Sequence, residues 1–311
     1  MRMRICLFAT ALFIMASLLP AQSSLPQPVV PENGITNGAS FDGGPVAPGS
    51  IISIFGSNLG LQIVDGATTP ISEAASQIPL GDSLGGHSVI FRNGAALGQA
   101  SQAVEVAAPL YFVSGVADPD QINAQVPWEL AGAQNVQMIV RVQDGAGGVA
   151  ESAPVPVAVS PQGVSPAFFT FGVNPRRAIA VNVKVEEGDD VINGSLAHPA
   201  GVAQGGQPAL QGGYLILYAN GLGPVNPAAV TGDNSLDQLR SATLPPTITV
   251  GGLPTNVQFA GLTPEFVGVY QINLILDENV APGDEVPIRI EQGGVLSRED
   301  VTIAVRARPG G

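Results

Sequence analysis

Short runs in which apolar residues alternate with polar ones recur along this 311-residue chain, each bounded by Gly, Pro, Asn or Asp. Alternate side chains of a β-strand point to opposite faces, so such runs predict strands that bury one face. No long window carries the helical period of roughly 3.6 residues; only 72–77 and 235–240 allow one or two helical turns. With 39 Gly and 27 Pro for turns, the sequence predicts an all-β fold. The clearest runs are 49–55, 87–91, 121–126, 136–142 and 155–159.

The order of these runs occurs twice along the chain. Segment 49–60, Gly-Ser-Ile-Ile-Ser-Ile-Phe-Gly-Ser-Asn-Leu-Gly, aligns with segment 212–223, Gly-Gly-Tyr-Leu-Ile-Leu-Tyr-Ala-Asn-Gly-Leu-Gly. Further along each copy, Gln121-Ile-Asn123 aligns with Gln271-Ile-Asn273. An internal repeat of this kind indicates two similar structural units in tandem.

Each repeat has the strand content of a β-sandwich. About seven short strands per half, with turns every eight to twelve residues, predict two tandem immunoglobulin-like β-sandwich domains. Domain 1 is predicted at 35–160 and domain 2 at 178–311, separated by a Pro- and Phe-rich segment at 161–177. Three phenylalanines of that segment are expected to hold the two domains together: Phe168, Phe169 and Phe171.

The N-terminus has the features of a secretory signal peptide. Arg2 and Arg4 precede an apolar run at 5–19, and Pro-Ala-Gln follows it, which predicts a signal peptide at 1–21 with cleavage after Ala21. Residues 22–34 are then an extended leader. The only cysteine of the chain lies inside the signal peptide, so the mature protein would have no disulfide, and we expect it to be secreted, periplasmic or at the cell surface.

The charge balance limits the partners. The chain has 12 Lys and Arg against 25 Asp and Glu, with a net charge of −13, and Lys184 is its single lysine. Binding to nucleic acid or to an anionic membrane requires clustered cations. We therefore expect a protein or polysaccharide of the cell surface or matrix as partner, with no nucleic acid and no membrane span in the mature chain.

Residues for nucleophilic catalysis are few. The chain has two histidines, His87 and His198. Ser195 and the pair Asp189 and Asp190 lie close to His198 in sequence, but a catalytic triad is assembled by the fold and not by sequence proximity. We expect His87, at the start of a strand, to be a surface or edge residue. The chain is predicted not to be an enzyme, and a hydrolase is the least favoured alternative.

One acidic cluster contains the residue types that calcium prefers. Carboxylates in a turn are hard oxygen ligands, and this cluster lacks the alternating Asp register of an EF-hand loop. The alternative is a solvated hairpin tip, so no cofactor is predicted and calcium stays an open alternative. The candidate ligands are Glu186, Glu187, Asp189 and Asp190.

Trp128 is the only tryptophan and the candidate for a ligand contact. It lies in Val-Pro-Trp-Glu-Leu, directly after a predicted strand. An exposed indole face can stack on a sugar ring, whereas an indole beside a sandwich can instead cover one end of the core. The structural interpretation is the favoured one, and the residue also supports a carbohydrate-binding alternative.

Two repeated motifs are interpreted as structural. Gly221-Leu-Gly223 follows a strand and imitates a dinucleotide-binding turn, but the third glycine position is Asn226 and the following prolines prevent a helix. A tight turn is the prediction there. In the two Gln-Ile-Asn motifs the central Ile122 and Ile272 should point to the core, while the flanking amides bond to a neighbouring strand or loop.

The order of these motifs resembles a known family. Matching stretches include 46–56, 108–113, 121–127, 217–225 and 268–273. They are similar to an uncharacterised C-terminal domain of secreted proteins from Solibacter-type acidobacteria. The repeated units also resemble immunoglobulin-like modules of the IPT/TIG type, on the basis of Pro-Gly followed by an apolar strand and of Gly-x-Asn-Leu-Gly. The resemblance implies export and a non-catalytic module, and it names no substrate.

The expected function is therefore a secreted, non-catalytic module for adhesion, scaffolding or cell-envelope interaction. A carbohydrate-binding accessory module that uses Trp128 is the first alternative.

Overall fold

A computed structural model describes residues 25–93, 104–185 and 190–308. Strands account for 46% of the residues and helix for 1%, so the predicted all-β class is confirmed. Among the described residues the helical structure is one 3-10 turn at Trp128–Leu130. Neither segment that allowed helical turns is helical: Ser72–Ala74 is a strand, and 235–240 is irregular.

The strands fall into a first half (residues 25–160) and a second half (161–308). The first half contains β1 (Ile35–Asn37), β2 (Ile51–Gly56), β3 (Leu61–Val64), β4 (Ala67–Pro70), β5 (Ser72–Ala74), β6 (His87–Asn93), β7 (Val104–Ala108), β8 (Leu110–Ser114), β9 (Asp120–Gln125), β10 (Val136–Gln143), β11 (Val149–Glu151) and β12 (Val155–Val157). The second half contains β13 (Ala167–Phe168), β14 (Thr170–Phe171), β15 (Arg176–Ala178), β16 (Ala180–Val183), β17 (Ala209–Leu210), β18 (Tyr214–Asn220), β19 (Val225–Asn226), β20 (Ser241–Ala242), β21 (Thr247–Val250), β22 (Leu253–Pro254), β23 (Asn256–Leu262), β24 (Tyr270–Ile275), β25 (Gly283–Gln292), β26 (Val295–Leu296) and β27 (Val301–Arg306).

Each half builds two main sheets around its own apolar core, and β3 and β4 form an additional two-stranded sheet in the first half. In the first half one sheet has the order β1-β2-β9-β8-β5, and the other has β11-β10-β6-β7 with β12 beside β10. The second half has β13-β18-β24-β23-β20-β19 with β16 beside β18, and β14-β15-β27-β25-β21-β22 with β17 and β26 attached. The buried apolar side chains form one cluster from Leu25 to Val157 and another from Phe168 to Val305. Stability therefore depends on two separate interiors.

The two halves repeat the same strand pairing. β2 pairs with β9 in the same register as β18 pairs with β24. β8 pairs with β9, and β23 pairs with β24. Both pairs have a register shift at the corresponding place, between Leu110 and Phe112 in β8 and between Val257 and Phe259 in β23. A β-bulge adds one unpaired residue and bends the strand. Its recurrence shows that the internal similarity extends to backbone irregularities.

The segments at both domain borders take part in the packing. Leu25 and Val30, in the predicted extended leader, are buried in the first core, and Val29 forms two backbone hydrogen bonds with Ser57. At the other border, residues 167–177 contribute β13, β14 and part of β15 to the sheets of the second half. Both segments are thus structured parts of the halves that they join.

The expectation that the phenylalanines hold the halves together is wrong. Phe168 points into the core of the second half, because β13 pairs with β18 and its side chain joins that sheet's inner face. Phe169 is half-buried beside β18, and Phe171 is exposed. The segment extends the second half's own sheets and does not insert an apolar wedge between the halves.

A buried asparagine joins the halves instead. Asn220 has no solvent exposure. Its Oδ1 accepts a hydrogen bond from the Ile51 N–H (2.9 Å), and its Nδ2 donates to the Ile51 carbonyl (2.8 Å) and to Oδ1 of Asn37 (2.9 Å). Asn37 in turn donates to the carbonyl of Ser165 (2.9 Å). The end of β18 is therefore fixed to the start of β2 by the hydrogen bonds of a fully buried side-chain amide.

Replacement of Asn220 by alanine should destabilise the protein by about 2 kcal/mol, because it removes three hydrogen bonds across the junction and leaves the Ile51 N–H without a partner. The measurement is urea unfolding of Asn220→Ala. The matched control is Ser57→Ala at the aligned position of the first half, where the side chain is exposed and the change should be within about 0.5 kcal/mol. Equal effects of the two substitutions would contradict the assigned role of Asn220.

Candidate functional site

His87 is fully buried, so the expectation of a surface or edge residue is wrong. Gly85 and Gly86 adopt φ values of 57° and 80°, and Leu84 and His87 exchange two backbone hydrogen bonds of 2.9 Å. This turn directs the imidazole inward. Its Nδ1 lies 2.8 Å from the Gly85 carbonyl, which can only accept, so Nδ1 carries the proton. Nε2 is buried with no partner among the described residues.

His198 is also fully buried, and the fold gives it a structural environment. Its Nε2 donates to the Ala178 carbonyl at 3.2 Å, and its ring centroid lies 5.8 Å from that of Phe171. Ser195 is buried too, and its hydroxyl accepts a hydrogen bond from the Asn182 amide at 3.1 Å. His198 and Ser195 therefore have separate partners, and among the described residues His198 forms no hydrogen bond with Ser195.

Most of the acidic cluster considered for calcium lies outside the described residues. This applies to Glu186, Glu187 and Asp189. Asp190 is described, and its carboxylate accepts a hydrogen bond from Arg306 at 2.5 Å, which lowers the pKa of that carboxyl below its usual value. Within the part of the chain that the structure describes, no group of three or more His, Cys, Asp or Glu residues is placed to hold a metal ion.

Trp128 lies at the boundary between the halves and packs against the core of the second half. A Cβ added to Gly49 would lie 2.1 Å from the indole ring, so the ring lies directly on the backbone there. The backbone N–H of Trp128 donates to Oγ1 of Thr231 at 3.0 Å, and the Thr231 hydroxyl donates to the Glu129 carboxylate. A sugar platform needs an exposed ring face. The half-buried position therefore favours the interpretation of Trp128 as a cover for a core.

The two Gln-Ile-Asn motifs form the same side-chain hydrogen bond. Nε2 of Gln121 donates to Oδ1 of Asn123 at 2.8 Å, and Nε2 of Gln271 donates to Oδ1 of Asn273 at 2.7 Å. The isoleucine between each pair is fully buried. The amides therefore bond along their own strand, on its outer face, whereas we expected bonds to a neighbouring strand or loop.

The glycines of the second repeated motif are required by close backbone contact. A Cβ on Gly221 would lie 2.2 Å from the carbonyl oxygen of Ser165, and Gly221 and Gly223 have φ values of 73° and 76°. Leu222 between them is fully buried. The turn packs on the border segment of the second half, and the geometry is that of a structural turn.

Sequence reasoning missed a cleft between the halves, which we call the junction cleft. It has a volume of about 450 Å³. Its walls are a first-half loop at 75–80 and a second-half loop at 265–267, and Tyr111 lies between them. The Tyr111 hydroxyl donates to the Val267 carbonyl across the junction, and burial raises the pKa of this tyrosine above its usual range. The lining side chains used below are Gln77, Ile78, Leu80, Tyr111, Glu265 and Phe266.

A scan of this chain against protein-family models finds no match, and a search of curated proteins finds no significant relative. In the described ranges, no helix has the length and apolar character needed to cross a bilayer. The assignment of function therefore depends on the geometry of the chain itself.

The buried histidines make stability depend on pH. Desolvation lowers the pKa of both imidazoles below the ordinary 6.5; the carbonyls of Gly85 and Ala178 oppose this lowering, and Arg177 adds to it at His198. Because the unfolded chain then binds more protons as the pH falls below 6.5, the stabilising contribution is present above that pH and is lost on acidification through the lowered pKa values.

The free energy of unfolding should therefore fall between pH 7 and pH 5, with a slope of up to about 1.4 kcal/mol per pH unit for each histidine. Urea unfolding at several pH values measures the slope. His87→Gln and His198→Gln should each flatten it, even if the substitution lowers stability overall. A slope that both variants leave unchanged would show that other groups titrate in this range.

Proposed function

We propose that this chain is an exported, non-catalytic binding module in which two immunoglobulin-like sandwiches act as one rigid unit, for adhesion, scaffolding or contact with the cell envelope. The observation that carries the proposal is the buried polar junction. Asn220 bonds both backbone groups of Ile51, and Gln125, which is also buried, accepts from the Gly232 N–H at 2.7 Å. Relative motion of the two halves would leave these buried polar groups without partners, so a junction of this kind opposes that motion.

The arrangement of the sheets supports the immunoglobulin-like part of the proposal. Each half has two mainly antiparallel sheets that enclose one apolar core, as in a β-sandwich. The predicted signal peptide at 1–21 lies outside the described residues, and export remains a proposal from the sequence. The resemblance to secreted acidobacterial domains and to IPT/TIG modules agrees with both statements.

The environments of the candidate reactive residues support a non-catalytic role. General acid–base catalysis needs a titratable group within reach of a substrate. Both histidines are fully buried, and each donates a ring N–H to a backbone carbonyl of its own half. The two histidines thus have structural roles, and we favour binding through a surface as the function.

The mature protein should sediment in a saturable manner with cell envelopes or cell-wall polymers of the source organism. It should also show no turnover in a panel of esters and glycosides. Turnover that His198→Ala abolishes, in a variant with unchanged circular dichroism, would contradict the proposal. A glycan-array signal that depends on Trp128, tested with Trp128→Ala, would instead assign the carbohydrate-binding alternative.

Export makes a separate prediction about the N-terminus. Intact-mass analysis of the protein recovered from outside the cytoplasm should give a chain that starts at Gln22, because cleavage is expected after Ala21. A cytoplasmic product that retains Met1 would contradict export.

A further inference from the structure

The junction cleft combines a large volume with exposed apolar walls. Ile78 on the first-half wall is 46% exposed, and Phe266 on the second-half wall is 58% exposed. Tyr111 lies between them with its hydroxyl already bonded to the second half. Ligand sites often lie at domain interfaces, in apolar clefts of about 300–1,000 Å³. The cleft of about 450 Å³ is within that range.

The Phe266 wall is held in place by its own loop. The backbone N–H of Phe266 donates to Oγ1 of Thr263 at 3.3 Å, and the same hydroxyl donates to the Phe266 carbonyl at 3.2 Å. These two bonds close a short turn that directs the phenylalanine ring outward. A side chain presented in this way loses little conformational freedom when it binds, which favours affinity.

A third loop extends the apolar surface beside the cleft. Gly232 accepts a hydrogen bond from the Leu80 N–H at 2.8 Å, and Ser235 donates to the Pro264 carbonyl at 3.0 Å, so this loop is bonded to both walls. It carries three exposed apolar side chains, which are 64–67% exposed: Val230, Leu236 and Leu239. Exposed apolar side chains grouped in this way are typical of a surface that binds a partner.

The charge around the cleft has one sign. The three loops and the adjacent 3-10 turn contain four carboxylates and one cation, Arg240. Arg240 is 5% exposed and forms a two-atom ion pair with Asp237, so its charge is already compensated. The carboxylates are Glu129, Asp233, Asp237 and Glu265. An occupant therefore gains from positive charge, and phosphate or other anionic groups are repelled.

We propose that the junction cleft binds a basic peptide segment of a partner protein, with an aromatic or large aliphatic side chain between Ile78, Tyr111 and Phe266 and with flanking Lys or Arg residues near Glu265 and its neighbours. The inference rests on the proposed binding function and specifies its partner. A peptide fits better than a glycan, because an apolar side chain matches the apolar walls, and Gln77 is the only amide side chain among the lining residues.

The test uses the mature protein and a defined probe, the peptide Gly-Ser-Lys-Lys-Phe-Lys-Lys-Ser-Gly with blocked ends, measured by isothermal titration calorimetry. Saturable 1:1 binding is expected with a Kd below about 1 mM. The matched peptides replace all Lys by Glu or the Phe by Ser, and each should bind at least tenfold more weakly. Raising the salt from about 0.05 to 0.5 M should weaken binding severalfold, because it screens the carboxylates.

Variants locate the binding. Ile78→Ser and Phe266→Ser should each weaken binding by roughly tenfold, and Glu265→Gln should weaken it less while reducing the salt dependence. These side chains are exposed, so folding should be preserved. The matched control is Val173→Ser, which changes a side chain that is 78% exposed and lies outside the three loops; its affinity should equal that of the wild type.

Three results would overturn the inference: no binding of the Lys and Phe peptide at 1 mM, equal binding of the Glu peptide, or affinities that Ile78→Ser and Phe266→Ser both leave unchanged. Envelope sedimentation separates this inference from the proposed function. If wild type and Phe266→Ser sediment equally with envelopes, the proposed binding function is retained and the assignment of the junction cleft as the binding site is rejected. If the wild type does not sediment with envelopes and turns over a substrate, the proposed function itself is contradicted.

Discussion

The side-chain amide of Asn220 supplies the contact on which the arrangement of the two halves depends. It pairs with both the N–H and the carbonyl of Ile51, as a neighbouring strand would, and it also donates to Asn37. A buried backbone group left without a partner costs about 1–3 kcal/mol, so small shifts of one half against the other are opposed steeply. Tyr111 and Phe266 come from different halves, and the junction cleft exists only because this junction is fixed.

The junction also shows how the two copies have diverged. The position of Asn220 corresponds to the exposed Ser57 in the first half, and Gln125, which bonds Gly232, corresponds to the half-buried Ile275 in the second. Each half thus contributes one buried polar side chain whose counterpart in the other copy has a different chemical type. The alternation of apolar residues is the same in both cores. Asn220 and Gln125, the buried polar residues, differ between the two copies and form the contacts that join them.

The alternation of apolar residues predicted the strands well, because one buried face is a local requirement that each strand meets by itself. The strands at 51–56, 120–125 and 136–143 all lie where the pattern placed them. Prediction failed where tertiary contacts decide. His87 has the local pattern of an edge residue, yet the turn before it directs the ring inward, and Phe168 lies in a linker-like sequence that the fold uses as a strand. The cleft was not predictable, since Ile78, Tyr111 and Phe266 are far apart in sequence and only the junction brings them together.

The acidic character of the chain and its exposed apolar cleft are physically linked. An apolar surface of this kind favours self-association, since two copies could bury it against each other. A net charge of −13, with carboxylates around the cleft itself, opposes the approach of a second copy and keeps the surface accessible. For a cationic partner the electrostatic interaction with the carboxylates is attractive. It acts over a screening length that depends on the salt concentration, and the bound partner then buries the same apolar side chains. The carboxylates thus disfavour self-association and favour a basic partner.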